Sequence, residues 1–112
     1  MEIKKGTGDV RTALFGGTGE VQVWNLMTER AEPFTAVLSC ELAPGGSVGP
    51  HVQEHYPEIV VGLEGDGQAT VNGAPRNLAA GDVVYLALGA VLALENRSTD
   101  TPLRYLIIKA RP

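Results

Sequence analysis

The sequence predicts an all-β fold, an antiparallel sandwich or barrel, and three observations predict it. Fourteen glycines and seven prolines are spread along 112 residues, which leaves few stretches where a helix could run unbroken. Between these breakers lie short apolar or alternating runs, recurring roughly every ten residues with turn chemistry between them. One turn, Asn72-Gly73, is the strongest hairpin signal in the chain, because both residues tolerate the positive φ of a two-residue turn.

The elements follow in order. Residues 1–20, with TGDVRTALFGGTG, show no sustained period and read as an arm or an irregular edge, and residues 21–112 as the barrel domain. From Glu20, EVQVWNL alternates polar and apolar. From Thr35, TAVLSCEL is rich in strand formers and stops at Pro44-Gly45-Gly46. IVVGLEG begins at Ile59 and ends in Gly-Asp-Gly, and QATV from Gln68 meets Asn72-Gly73, which pairs it with the stretch after Pro75. VVYLAL follows Gly81-Asp82, AVLALEN follows Gly89, and LRYLIIKA follows the polar loop RSTDTP. IVVGL and YLII are apolar at odd and even positions, so both faces should be covered, one by the interior and the other by a second sheet or a partner subunit. A homodimer is the expectation.

Size and composition bound the function. A chain of 112 residues forms one domain with one core, so any site must be built inside it. A net charge of −4 gives no basic stripe for phosphate, so no nucleic-acid partner is expected. The longest apolar run, Val83 to Leu94, falls short of the roughly 20 residues of a spanning helix and is broken by Gly89, so no membrane partner is expected either. No apolar segment follows the lysines of MEIKKGTGDVR, and the single cysteine, Cys40, agrees with a reducing compartment, so a cytoplasmic location is expected. With only His51 and His55, a three-histidine metal centre within one chain is excluded, as are an intrachain disulfide and a four-cysteine zinc site.

At Gly45 the spacing becomes specific. Gly45 is followed after five residues by His51, then after one by Gln53, after four by Glu58 and after six by Gly65. This resembles the first cupin motif, G-x5-H-x-H-x3,4-E-x6-G, with glutamine in place of the second histidine. Gly81, Gly89 and Asn96 fall on positions of the second motif, G-x5-P-x-G-x2-H-x3-N, with Ala87 in place of proline and Leu92 in place of histidine. The resemblance covers about Val21 to Lys109 and implies a double-stranded β-helix, the jelly-roll barrel of a small single-domain cupin. Gly45, Gly65, Gly81 and Gly89 then sit at turns that need positive φ or close strand approach.

In metal-dependent cupins the motif histidines and glutamate hold a divalent ion inside the barrel. By that resemblance His51, Gln53 and Glu58 are the candidate metal ligands, with His55, in the QEHYP turn, as an extra one. His51, Gln53, Glu58 and Leu92 are the candidate ligand-binding residues. Gln53 offers only a neutral carbonyl oxygen, a weaker donor than imidazole, and Leu92 offers nothing. Residues 51 and 53 are i and i+2 on a strand and so share a face. Each residue also has a plain structural role open to it: His51 bonded to Glu58 or to water, His55 in solvent, Tyr56 and Trp24 as packing, Cys40 as a small buried hydrophobe.

Glu58 is informative with or without a metal. A carboxylate on an apolar inner face must bind a cation, accept hydrogen bonds, pair with a cation or take up a proton. The resulting expectation is a barrel that binds a small polar molecule, with a weakly held divalent metal of unknown identity as a candidate cofactor. The alternative is a metal-dependent oxygenase or isomerase of a small substrate. A glutamate beside a histidine can also move protons without a metal, as cupin epimerases do, but those resemble a larger fold with a histidine and aspartate pair not found here, so this reading ranks below the other two. Whether any reaction is catalysed stays open at this stage.

Overall fold

In the computed structural model, which describes residues 1–112, ten strands form two antiparallel sheets and no α-helix occurs. The strands are β1 (Asp9–Thr12), β2 (Glu20–Asn25), β3 (Phe34–Leu42), β4 (Ser47–Val52), β5 (Glu58–Glu64), β6 (Gly67–Val71), β7 (Ala74–Leu78), β8 (Val83–Leu86), β9 (Val91–Asn96) and β10 (Leu103–Ala110). One sheet has the order β1-β2-β3-β10-β5-β8 and the other β4-β9-β6-β7. Non-consecutive strands pair side by side, as the jelly roll requires. The runs read from the sequence appear as β2, β3 and β5 to β10, with ends shifted by a residue or two.

The turn chemistry behaves as the residues dictate. Asn72 and Gly73 both take positive φ, 50° and 82°, and close the two-residue hairpin in which Val71 faces Ala74. Gly65, at φ 107°, also passes so close to the Pro102 carbonyl that a side chain would collide there.

The core lies between the sheets. Val21, Leu42, Val60, Leu78, Val84, Leu92, Leu103 and Tyr105 are fully buried within it, and each large apolar side chain so placed stabilises the fold by about 1.5–3 kcal/mol. Asn96, just 2% exposed, is the polar exception. Its Nδ2 donates to the carbonyls of Leu42, Ala43 and Thr101 at 3.2, 3.2 and 2.9 Å, and its Oδ1 accepts from the Ser98 N–H at 3.0 Å. The end of β9, the β3–β4 turn and the loop into β10 are thereby tied together.

The first twenty residues lie against the barrel. β1 pairs with β2 at the sheet edge, and Leu14–Gly16 makes one short turn that packs on β4. Thr18 and Ser47 exchange both backbone hydrogen bonds, 3.1 and 2.8 Å. The approach is close enough that a Cβ on Gly49 would land on the Phe15 carbonyl, and one on Gly17 would land on the Ser47 carbonyl. Nearer the start, Lys4 lies 5.0 Å over the Trp24 ring and 3.2 Å from Glu41, while Glu2 pairs with Arg104 at 2.6 Å. No helix is long and apolar enough to cross a membrane.

Candidate functional site

The site is organised by an irregularity in β4. Between Val48 and His51 the register against β9 shifts, a bulge centred on Gly49-Pro50, so His51 faces Leu92 across the strands. His51 Nδ1 lies 2.9 Å from the Gly49 carbonyl, which only accepts, so Nδ1 carries a hydrogen and donates it. The Phe15 ring stacks on the imidazole, centroids 4.1 Å apart and planes 8° from parallel. Ala13 and Phe15 both take positive φ, 51° and 53°, which is uncommon for residues with side chains and aims the ring at this spot.

Glu58, at the start of β5, is turned inward with Val60 by strand alternation. Its register partners are Leu86 on β8 and Lys109 on β10. Lys109 Nζ lies 3.8 Å from Glu58 Oε1, while Oε2 is buried and has no partner. Burial raises the carboxyl pKa above the ordinary 4.5, and Lys109 opposes the rise. Cys40 and Tyr105 face each other across β3 and β10 on the same inner surface. Burial, with the Glu58 charge, pushes the thiol up to about 12, and burial also raises the Tyr105 phenol. Neither group is poised as a nucleophile near neutral pH.

Two spaces meet at His51. An interior cavity of about 160 Å³ is walled mostly by apolar side chains such as Val21, Val48, Leu92 and Leu94, with His51, Glu58, Lys109 and Cys40 as its polar or polarisable members. An outer cleft of about 520 Å³ is lined by Pro50, Gln53, Glu54, His55 and Tyr56. Phe15, His51 and Lys109 border both, and so form the mouth between them.

The sequence-derived candidates separate accordingly. His51, Glu58 and Leu92 share the interior cavity. β4 ends at Val52, and Gln53 follows it with its backbone bridged to Ala90 and Gly89. Its side chain is buried at the cleft, with Nε2 unpartnered. His55 projects into solvent, 81% exposed, 3.9 Å from Glu54. Trp24 and Cys40 are buried as the sequence suggests, and Tyr56 lines the cleft. Sequence reasoning missed Lys109, although counting by twos from Tyr105 through Ile107 places it on the inner face. It also missed Phe15, for which no sequence signal exists, because positive φ is not a feature that Ala13 and Phe15 announce.

These donors do not assemble into a metal centre. No three His, Cys, Asp or Glu side chains gather where they could hold an ion. The position opposite His51 is filled by Leu92, and Glu58 faces an ammonium. A divalent ion would have His51 and Glu58 in the cavity and a Lys109 cation beside them.

The sequence profile of the Cupin domain family matches residues 38–109. The chain belongs to the cupin family. It is 36% identical over 95 residues to the "Oxalate-binding protein" of Thermotoga maritima, covering 83% of this cupin and 78% of that protein. It is 38% identical over 80 residues to the "Dimethylsulfoniopropionate lyase DddW" of Ruegeria pomeroyi, covering 65% of this chain and 51% of that one. Among solved structures, the cupin superposes on a "predicted oxalate decarboxylase" of Thermotoga maritima with a TM-score of 0.87 and 30% identity, covering 95% of this chain and 93% of that one.

Proposed function

We propose that this cupin binds a small molecule in the cavity between its two sheets, with His51 and Glu58 as orienting groups, Leu92 as wall and Gln53 at the entrance. The observation that carries the proposal is the cavity between the sheets, walled mostly by apolar side chains, which His51 and Glu58 both line. The oxalate named for the Thermotoga relative supports small-molecule binding as an activity of this barrel type. Catalysis as a metal-dependent oxygenase or isomerase would need a fuller donor set than His51 and Glu58. With one buried free cysteine, a cytoplasmic setting is proposed.

Native mass spectrometry tests the proposal. Protein purified gently from its own cells is expected to carry a small-molecule adduct that Leu92→Trp, which fills the cavity, removes. An adduct retained by a folded Leu92→Trp protein would place the binding site elsewhere.

A homodimer is also proposed. The outer face of the six-stranded sheet carries Ile59, Val61 and Ile108 half-buried, beside Phe34, Val83 and Tyr85, which are 49%, 42% and 71% exposed. They form a contiguous apolar surface of the kind subunit interfaces cover. Sedimentation velocity at micromolar concentration is expected to show a dimer, and Tyr85→Glu a monomer. A monomeric parent would refute the interface.

A further inference from the structure

The turn that carries Phe15 is fixed to the barrel at its backbone and free at its side chain. Thr18 and Ser47 exchange both backbone hydrogen bonds, and the Ala13 N–H donates to the Gly19 carbonyl at 3.0 Å. Inside the turn, the Gly16 and Gly17 N–H groups donate to the Ala13 and Leu14 carbonyls at 3.1 and 3.0 Å. Gly49 admits the Phe15 carbonyl only because it has no side chain, since a Cβ there would collide with it. Ala13 and Phe15 are held in the left-handed region, φ 51° and 53°, which residues with side chains seldom adopt. Phe15 is nevertheless 55% exposed, and its ring is stacked on the His51 imidazole.

We infer that Phe15 is a gate: stacked on His51 it narrows the mouth of the cavity between the sheets, and swung outward about its own side-chain bonds it opens that mouth. Phe15, His51 and Lys109 border both the outer cleft and the cavity, so a molecule passing from one to the other passes this ring. The backbone bonds of the turn leave the side chain as the moving part, and exposed side chains change rotamer in picoseconds to nanoseconds. A stacked pair of rings is held by the equivalent of about a two- to tenfold preference for contact. The gate therefore stands open for part of the time, and its opening is fast. Entry is a property of the empty protein, so the gate goes beyond the small-molecule reading and stands or falls without it.

Cys40, the single cysteine, lines the cavity and is 3% exposed, so the rate at which a thiol reagent reaches it reports entry. The reagents are the small methyl methanethiosulfonate and the bulky dithiobis(nitrobenzoate), each rate being taken relative to the urea-unfolded chain. All proteins are compared at one pH, because burial pushes the thiol up to about 12. Phe15→Ala is expected to raise the rate with the small reagent about two- to tenfold. Phe15→Asn, which removes the ring but suits the positive φ, is expected to do the same, and Phe15→Tyr, which keeps the ring, to leave the rate unchanged. The bulky reagent is expected to react only through unfolding and to follow the stability of each protein in urea. The His51 ring protons are expected to lie upfield in the parent and in Phe15→Tyr, and to move downfield in the other two. Equal small-reagent rates in all four proteins, a rise shared in proportion by the bulky reagent, or His51 shifts that ignore residue 15 would overturn the gate. Each of those results leaves the adduct read by native mass spectrometry, and with it the cavity as a binding site, to be decided separately.

Discussion

Replacing Asn96 by alanine is expected to destabilise the protein by about 3–4 kcal/mol, among the largest losses available to any single side chain here. The side chain is 2% exposed and makes four hydrogen bonds, three donated to carbonyls and one accepted from the Ser98 N–H. Alanine removes the side-chain partner from all four backbone groups in a place water reaches poorly, and the Ala43 carbonyl keeps another, the Gly46 N–H. Asn96→Asp should be no better at neutral pH, since it keeps the acceptor for Ser98 but turns a carboxylate oxygen toward three carbonyls. Urea unfolding of the three proteins is the measurement, and a loss under about 1 kcal/mol for both variants would mean that the loop and the β3–β4 turn hold together without this residue.

Glu58→Gln is expected to act in the opposite direction and to depend on pH. Burial raises the folded pKa of Glu58 above 4.5, so the folded state holds the proton more tightly than the unfolded chain does. The stability linked to that proton is fully present below the unfolded value and is lost as pH rises through the folded one. At pH above the folded pKa the parent carries a buried carboxylate with one oxygen unpartnered, and the glutamine variant does not, so the variant should be more stable there by about 1–2 kcal/mol. The advantage should shrink toward zero as pH falls to about 4. Unfolding free energies of both proteins across that range check it; a difference independent of pH would show that Glu58 does not titrate as its burial requires.

Much of the fold was legible because turns and strands obey local chemistry. Asn72-Gly73 announces its hairpin, and the β-branched and alternating runs announce β2, β3 and β5 to β10. Only the end of β4 was read, as a strand through residues 51 and 53 that in fact stops at Val52, because Gly49 and Pro50 break its pattern, and the same two residues make the bulge that points His51 at Leu92. The strand-like character of residues 9–12 was invisible too, since β1 is exposed along its whole length and has no buried face to impose a period. The motif spacing brought His51, Glu58 and Leu92 to notice, and the structure gathers those three around one cavity. Spacing alone could not show that Gln53 lies past the end of β4, nor that His55 turns to solvent. Lys109 was readable by alternation along LRYLIIKA, but only once the inner face of β10 was known.

The central claim is that the barrel's polar end is furnished for a small molecule and not for a resident metal. It is tested most directly by titrating zinc, manganese, nickel and iron(II) into metal-free protein, beside Gln53→His/Leu92→His, and measuring bound metal after dialysis. The parent is expected to keep no stoichiometric ion with a Kd below about 10 μM, and the double variant, with histidines at both substituted positions, to bind at least a hundredfold more tightly. One equivalent of metal held by the parent at submicromolar Kd would contradict the claim.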